Sequence, residues 1–280
     1  MRSKVVLRRV MAKPQVVVGL VGVLALLALA YLGPLFGQYH WEKKDFTAFL
    51  TPPGADHWWG TTQIGQDMFA VTLRGMQKSI LIGFLVALIS TGLAALVGAF
   101  AGYFGGKLDK ILMWGTDLLL VLPSFLIIAV ISPRLESGSW LMFVVLLAAF
   151  SWMITSRVVR SMTLSLRERE YVLAARYMGI PDWKIIFRHV VPNMSSLLII
   201  DATMNVSGAI IGETALSYFG FGVRPPDVSL GTLISAGGGS TAISYPWLFL
   251  FPAGLLVLLV LFINLIGDGL RDALDPGSTS

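Results

Sequence analysis

Six long apolar runs constrain the fold of this chain more than any other feature. They centre on residues 16–36, 79–104, 109–131, 139–157, 195–216 and 247–268. A helix needs about 20 apolar residues to cross roughly 30 Å of hydrocarbon, where the backbone must satisfy its own hydrogen bonds. The chain is 55% hydrophobic and only 13% charged, whereas a soluble domain has about 25% charged residues. The sequence therefore predicts an all-α integral membrane protein with six transmembrane helices.

The distribution of basic residues predicts the orientation of these helices, because Lys and Arg are retained on the cytoplasmic side. With the N-terminus inside, only six basic residues lie outside: Lys43, Lys44, Arg74, Lys78, Arg134 and Arg224. Both termini are therefore predicted to be cytoplasmic. The first run is about twice as long as the apolar core of a signal peptide, so it is interpreted as a retained helix. The predicted regions are a cytoplasmic N-terminus (1–15), helix one (16–36), an extracytoplasmic segment (37–78), a five-helix core (79–268) and a cytoplasmic tail (269–280). The core includes a cytoplasmic segment (158–194) and an extracytoplasmic loop (217–246).

A charged segment between two apolar runs, EYVLAARYMGIPDWKIIFRHVVPN (170–193), has the pattern of two short helices joined by a bend. Gly179 can end the first helix in the left-handed conformation, Pro181 suits a first helical position, and Pro192 stops the second helix. Asp182 is favourable at the positive end of the second helix. This segment is predicted to dock a cytoplasmic partner; the alternative is an amphipathic helix that lies on lipid headgroups.

Two apolar patches support the docking interpretation. In the second helix, five apolar residues at i, i+3, i+4, i+7 and i+8 form one predicted stripe: Trp183, Ile186, Phe187, Val190 and Val191. In the first helix, small or flexible residues form a patch beside Tyr171 around which a partner's loop could close: Ala174, Ala175, Met178 and Gly179.

The two extracytoplasmic regions are rich in aromatic and turn residues. Trp58 and Trp59 are interpreted either as an aromatic anchor at the membrane interface, which we favour, or as ligand contacts. Glycines and prolines in residues 217–246 predict a shaped, non-helical loop that could contact an external partner.

Ionisable and amide side chains within the predicted spans are costly unless they face protein or water. Asp117 either faces a substrate path or bonds to a neighbouring helix. Asp201 and Asn205 lie one turn apart, which fits a contact between helices as well as a pore lining. Glu213 lies near the outer end of its span, where an external gate would be.

Catalytic motifs are not found in the sequence. Gly106-Lys107 is followed by Leu108, so no phosphate-binding loop is formed there. The three histidines are divided between the two predicted sides of the membrane, and the chain has no cysteine, so neither a shared histidine metal site nor a thiolate site is expected. We expect a non-enzymatic chain with no catalytic residue, metal or cofactor of its own, and no binding to nucleic acid.

Four ordered motifs resemble those of one family, the inner-membrane permease subunits of ATP-binding-cassette importers of the dipeptide, oligopeptide and nickel branch. Ala174-Ala175, then Gly179 and Pro192, are similar to the "EAA" loop that grips the ATPase. Residues 60–75 resemble the GTDxxGRD entry to the second helix, and LSYFGFGVRPP (216–226) resembles the LSFLGLGVxPP loop. The closing stretch NLIGDGLRDALDP (264–276) also fits.

The resemblance implies a type I importer permease fold, with one span outside a core of five. It implies a homologous second permease, two ATPase domains that bind ATP and Mg, and an extracytoplasmic substrate-binding protein, in the cytoplasmic membrane of a prokaryote. The candidate contacts with the binding protein are Trp58, Trp59, Arg224, Pro225 and Pro226, and the candidate path residues are the polar groups within the spans, Asp117, Asp201, Asn205 and Glu213. The implied ATPase-coupling residues are Glu170, Ala174, Ala175, Met178, Gly179, Asp182, Trp183, Ile186, Phe187, Arg188 and Pro192.

Three positions depart from the family pattern. Leu173 replaces the usual glutamate of the coupling loop, although Glu168 and Glu170 are near, and Thr62 and Gln66 replace an aspartate and an arginine. The expected cargo is a di- or oligopeptide, with a nickel chelate, glutathione, haem or a sugar as alternatives. A channel or secondary transporter would show internal inverted repeats and broken spans, and the sequence indicates neither.

Overall fold

The computed structural model describes residues 10–134 and 140–274, and within them the chain forms helices and turns without a β-strand. The predicted N-terminal segment and tail extend into residues 1–9 and 275–280, which lie outside the described residues. The helices are α1 (Pro14–Phe36), α2 (Met68–Phe104), α3 (Gly106–Val121), α4 (Ser124–Ile131), α5 (Trp140–Ala149), α6 (Met153–Leu166), α7 (Glu170–Tyr177), α8 (Asp182–Ile185), α9 (Ser195–Tyr218), α10 (Leu230–Ala236), α11 (Ser240–Ser244) and α12 (Trp247–Leu274). A π-helical turn (Ile186–Val190) and a 3-10 turn (Val191–Met194) join α8 to α9.

Four of the described helical stretches are long and apolar enough to cross a membrane: Pro14–Phe36, Met68–Phe104, Asp182–Tyr218 and Trp247–Ala273. Two bent pairs, α3 with α4 and α5 with α6, bring the number to six if each pair is one span. The prediction of an all-α membrane fold is confirmed, and the described residues give the predicted six spans when each bent pair is counted as one.

Both breaks have a local cause, and they correct the expectation of unbroken spans. The axis turns by 77° between α3 and the helical stretch that begins with α4, where Pro123 forces Leu122 into an extended conformation (φ −72°, ψ 132°). The 48° bend between α5 and α6 follows two tight turns. There the amides of Phe150 and Ser151 bond to carbonyls only three residues back.

Helix α2 is the central element of the fold. Its 37 residues give a length of about 56 Å at 1.5 Å per residue, and it packs against α1, α5, α6, α9 and α10. Asp67 caps its first turn by accepting a hydrogen bond from the amide of Ala70 at 2.9 Å. Helix α2 therefore begins at Met68, within the predicted extracytoplasmic segment (37–78).

Small residues let α2 and α6 approach closely. A Cβ on Gly98 would lie 2.4 Å from the carbonyl oxygen of Ser156, and one on Gly102 would lie 2.6 Å from that of Arg160. With Ala94, these glycines form a small-residue row at intervals of four, a pattern typical of close helix contacts in membranes.

Two polar regions lie at opposite ends of α2. We call residues 37–67 and 219–246 the cap, because they pack around Met68 and Val71 at the start of α2. We call residues 167–194 the dock, because they pack against Ala99 near its end. The membrane-crossing helices lie between these two regions, and the stretch Asp182–Tyr218 begins within the dock.

Candidate functional site

The dock has the predicted form of two short helices with a bend. Gly179 has φ +74°, a conformation that other residues rarely adopt, so its predicted left-handed conformation is confirmed. The amide of Ile180 bonds to the carbonyl of Ala175 at 3.2 Å and so closes α7. Helix α8 begins at Asp182, one residue later than predicted, so Pro181 is its N-cap residue and not its first helical residue.

The base of the dock is buried in the protein. Ile185, Ile186 and Val190 are all 0% exposed, and they pack in one cluster with Ala99 of α2 and Val159 of α6. The prediction of a single accessible stripe is therefore wrong for Ile186 and Val190. The apolar stripe covers two adjacent rows of side chains on the helix. The row with Ile186 and Val190 faces the transmembrane helices α2 and α6. Ala175, also predicted as a contact residue, is only 1% exposed and joins the same cluster.

The other row of the stripe is about half exposed, and within the protein Phe187 meets the ring of Phe100 in α2 edge-on at 6.3 Å. Trp183 is 56% exposed and Phe187 47%, and the end of α7 adds Tyr177 at 89% and Met178 at 72%. Large apolar side chains grouped in this way are typical of an interaction surface. Among the other predicted contact residues, Glu170, Ala174, Arg188 and Pro192 are exposed and Asp182 is half-buried.

A cleft of about 290 Å³ opens beside this surface, between the end of α2 and the dock. The Tyr103 hydroxyl donates to the Asp182 carboxylate at 2.8 Å and ties α8 to α2. Arg167 pairs with Glu168 at 3.0 Å. Leu173 lines the same cleft beside Arg176, so an apolar group stands where the family's glutamate is expected.

Asp201 and Asn205 form a polar contact between three helices. The Asp201 carboxylate accepts from Thr155 of α6 at 2.7 Å, from Thr91 of α2 at 3.2 Å and from Asn205 of α9 at 2.9 Å. Of the two interpretations left open by the sequence, the structure favours a contact between helices. Satisfied polar groups of this kind fix how helices pack in a membrane.

Glu213 lies near the cap end of its span, in agreement with the sequence, but it is fully buried at 0% exposure, so its side chain does not face an open path. Its carboxyl accepts from the hydroxyls of Ser79 at 3.1 Å and Ser217 at 2.6 Å. Each hydroxyl oxygen also accepts a hydrogen bond from a backbone amide of the cap. The Leu230 amide donates to Ser79 and the Val223 amide donates to Ser217, both at 3.1 Å. The carboxyl thus anchors the cap to the membrane-crossing helices.

Two ion pairs join α3 to α6. Asp117 pairs with Arg157, and both side chains are about half exposed. Asp109 pairs with Arg160 through two hydrogen bonds, one of 2.6 Å between Oδ2 and Nη2. The second pair was not predicted from the sequence, although Asp109 lies about two turns before Asp117 on the same side of α3.

The tryptophan pair in the cap is divided between two environments. Trp59 stacks on Phe251 of α12 with ring centroids 4.5 Å apart, and meets Phe69 of α2 edge-on at 4.9 Å. Trp58 is 45% exposed. Trp59 is therefore mainly a packing residue, and only Trp58 presents an open ring to a partner.

The second half of the predicted non-helical loop is helical, which is a further correction. Ser229 and Thr232 form a reciprocal capping box that starts α10. Leu230 and Leu233 of this helix are buried. Earlier in the loop, Arg224 donates to the carbonyl of Pro133 at 3.4 Å. Pro225 and Pro226, which share a cis peptide bond, are exposed.

The unusual residues Thr62 and Gln66 bond to each other. The Gln66 amide donates to the Thr62 hydroxyl at 3.0 Å, and the Thr62 amide donates to the Gln66 carbonyl at 2.8 Å. The Gln66 side chain also donates to the carbonyl of Trp41 at 3.0 Å. A neutral hydrogen-bonded turn thus stands where the family motif has two charged side chains.

Comparison with known proteins agrees with this architecture. Residues 94–280 match the family described as binding-protein-dependent transport system inner membrane component. The oligopeptide transport system permease protein OppC of Mycobacterium tuberculosis (strain H37Rv) is 57% identical over 280 residues, which are 100% of this chain and 96% of the relative. A putative peptide permease protein of Brucella suis is 41% identical over 92% of this chain and 85% of its own length. OppC of Bacillus subtilis is 35% identical over 92% of this chain and 84% of its own length. The chain therefore belongs to the family of inner-membrane components of binding-protein-dependent transport systems, and it is a non-catalytic, integral membrane subunit of such a system.

Proposed function

We propose that this chain forms half of the translocation path of an ATP-driven importer of di- or oligopeptides in a prokaryotic cytoplasmic membrane. The second half comes from a homologous permease, and two ATPase domains bind ATP and Mg on the cytoplasmic side. An extracytoplasmic binding protein delivers the substrate to the cap. The names of the relatives support the peptide substrate, and the distribution of Lys and Arg supports cytoplasmic termini.

The observation that carries the proposal is the two-sided construction of the dock. Its outer row, with Trp183 and Phe187, is open to a partner, whereas Ile185 and Ile186 in its base are locked against α2 and α6. A force applied to the exposed row is therefore transmitted to the membrane-crossing helices, because packed interiors do not deform continuously. ATP-driven closure of the ATPase pair moves the dock as a lever and alternates access to the path.

Glu213 does not line the proposed translocation path, because its carboxyl is buried within the protein. Asp117 is half exposed within α3, six residues before Pro123, so it remains the path candidate among the four predicted residues. Asp201 and Asn205 act as supports for the helices that surround the path. On the cap, the proposed contacts with the binding protein are Trp58, Arg224, Pro225 and Pro226.

The proposal is tested by replacing both exposed aromatic residues of the dock, Trp183→Ala with Phe187→Ala, in the complete transporter reconstituted in liposomes. We expect peptide-stimulated ATP hydrolysis and peptide uptake to fall at least about tenfold, the usual effect of losing two large anchors at an interface. Thermal unfolding of the isolated chain should stay close to wild type, because both side chains are exposed.

The matched control is Tyr31→Ala, which removes a large aromatic ring of α1 that is 52% exposed and lies outside the dock, the cap and α3. It should leave coupling intact. Full coupling in the double variant would overturn the docking role. Peptide transport by the purified chain alone would replace the importer with a channel or a secondary transporter.

A further inference from the structure

A cavity of about 350 Å³ lies between the end of α1, the start of the cap and the first turns of α2. Its walls include Pro34, Tyr39, His40, Trp41, Arg74 and Gln77. The cavity is separate from the dock and from the polar contacts of Asp201 and Glu213. Nothing in the proposed transport cycle uses these residues.

The guanidinium of Arg74 is poorly satisfied in this cavity. It makes one long hydrogen bond, 3.3 Å to the side-chain oxygen of Gln77, and lies 5.1 Å from the centre of the Trp41 ring. In residues 10–134 and 140–274, no carboxylate lies within ion-pair distance of it. A guanidinium carries five N–H donors in a planar fork that suits phosphate and carboxylate, so the cavity presents unfilled donors for an anion.

The two walls beside Arg74 are held in place by the rest of the protein. The side-chain amide of Gln77 donates to the carbonyl of Ala30 in α1 at 2.6 Å. The carbonyl of Trp41 accepts from Gln66 at 3.0 Å. The arginine and the ring above it are therefore pre-organised, which lowers the entropic cost of binding a ligand.

The position of the cavity along α1 matches the depth of phospholipid headgroups. The 23 residues of α1 span about 35 Å at 1.5 Å per residue, slightly more than the roughly 30 Å of hydrocarbon. Its last two residues, Leu35 and Phe36, are 77% and 74% exposed beside the cavity. Apolar side chains for acyl chains thus adjoin a cationic pocket walled by Tyr and Trp, the residues enriched at membrane interfaces.

We propose that this cavity binds a phospholipid, with the headgroup phosphodiester on Arg74 and the acyl chains along Leu35 and Phe36. Lys43, whose ammonium lies 5.4 Å from the Tyr39 ring centre, adds a second positive charge at the rim. The nearby carboxylate of Glu42 lies 3.7 Å from the His40 imidazole, and both are largely exposed. The bound lipid fills the seam between α1 and α2 and ties the peripheral first span to the core.

The proposal is tested by native mass spectrometry of the full chain purified in a neutral maltoside detergent, with phosphatidylglycerol added in increasing amounts. We expect one lipid to remain bound to the wild type after detergent removal. Arg74→Gln should weaken this binding about tenfold, the effect of losing one charge-assisted hydrogen bond. Arg74→Lys should retain part of it, because a lysine keeps the charge without the planar fork.

Lys44→Gln is the matched control, since it removes one exposed positive charge from the same segment without touching the cavity. It should bind lipid as the wild type does. Equal lipid retention by Arg74→Gln and wild type overturns the proposal, and thermal unfolding verifies that the variant is folded.

Two competition arms distinguish the sources of the anion. Inorganic phosphate and a short peptide with a free C-terminal carboxylate are each added to the lipid-bound wild type. Retention of the lipid supports the proposal. Displacement by phosphate at low concentration identifies a small-anion site instead, and displacement by the peptide identifies a substrate site; either result overturns the assignment to phospholipid.

Discussion

Ser79→Ala tests whether the buried carboxyl of Glu213 anchors the cap through serine hydroxyls. The Ser79 hydroxyl donates to that carboxyl and accepts the amide of Leu230, each at 3.1 Å. Leu230 is the first helical residue of α10, a position whose amide has no partner within its own helix. Ser79 is thus the acceptor that connects this cap helix to α2.

The expected magnitude follows from the two groups that the substitution strands. The Leu230 amide loses its acceptor and one oxygen of Glu213 loses its donor, and each unpaired buried group costs about 1–3 kcal/mol. A fall of only ~1.4 kcal/mol in the free energy of local opening corresponds to a tenfold change in the population of the open form. We therefore expect amide exchange in residues 219–236 to be at least about tenfold faster in Ser79→Ala.

The assay is hydrogen–deuterium exchange followed by mass spectrometry on the purified chain. Ser90→Ala is the matched control: Ser90 is also a fully buried serine of α2, but its hydroxyl bonds to the carbonyl of Ala87 in the same helix at 3.2 Å. The control should leave exchange in the cap unchanged. If Ser79→Ala exchanged there no faster than Ser90→Ala, contacts other than the Ser79 hydroxyl would hold the cap in place.

Three further predictions concern the contacts between helices. Gly98→Leu should lower the free energy of unfolding by about 1–3 kcal/mol or more, because the added side chain would overpack the contact with α6. The control Gly92→Leu, in the same helix, places its side chain in open space. Equal melting temperatures of the two variants would contradict the close approach of α2 and α6. A double-mutant cycle on Asp109→Asn and Arg160→Gln should give a coupling energy of about 0.5–3 kcal/mol, and additive effects in chemical unfolding would show that the pair contributes nothing. Asp201→Leu strands the hydroxyls of Thr91 and Thr155, at about 1–3 kcal/mol each, so its melting temperature should fall well below that of Thr203→Val, whose hydroxyl bonds only within α9.

The membrane-crossing part of the fold could be predicted from the sequence because it follows from one strong physical constraint. Apolar runs of the required length have no stable alternative to a helix in lipid, and α1 and α12 lie where the runs indicated. Gly179 was predictable for a similar reason, since its left-handed conformation is a property of its own backbone. The membrane-crossing helices and the conformation of Gly179 are thus both determined by residues close together in the sequence.

Features that depend on a partner elsewhere in the chain were harder to predict. The periodicity of residues 183–191 indicates an apolar face, but only the position of α2 and α6 decides which row of that face is buried. Glu213 has the same difficulty, because the serines that satisfy it come from α2 and α9. By contrast, the bend at Pro123 and the capping box at Ser229 had local signals that could have been used.

The wide apolar face of the dock explains why a short helix needs so many large side chains. A narrow stripe could pack against the transmembrane helices or against a partner, but it could not do both. Ile186 and Val190 are fully buried while Trp183 and Phe187 are about half exposed, so adjacent rows of one helix meet two different surfaces. Substitutions in the buried row should therefore lower stability, since they remove core packing. Substitutions in the exposed row should lower mainly coupling, and comparing Ile186→Ala with Phe187→Ala in thermal unfolding and ATPase assays separates the two effects. If both substitutions affected stability and coupling in the same proportion, the two rows would not have distinct roles.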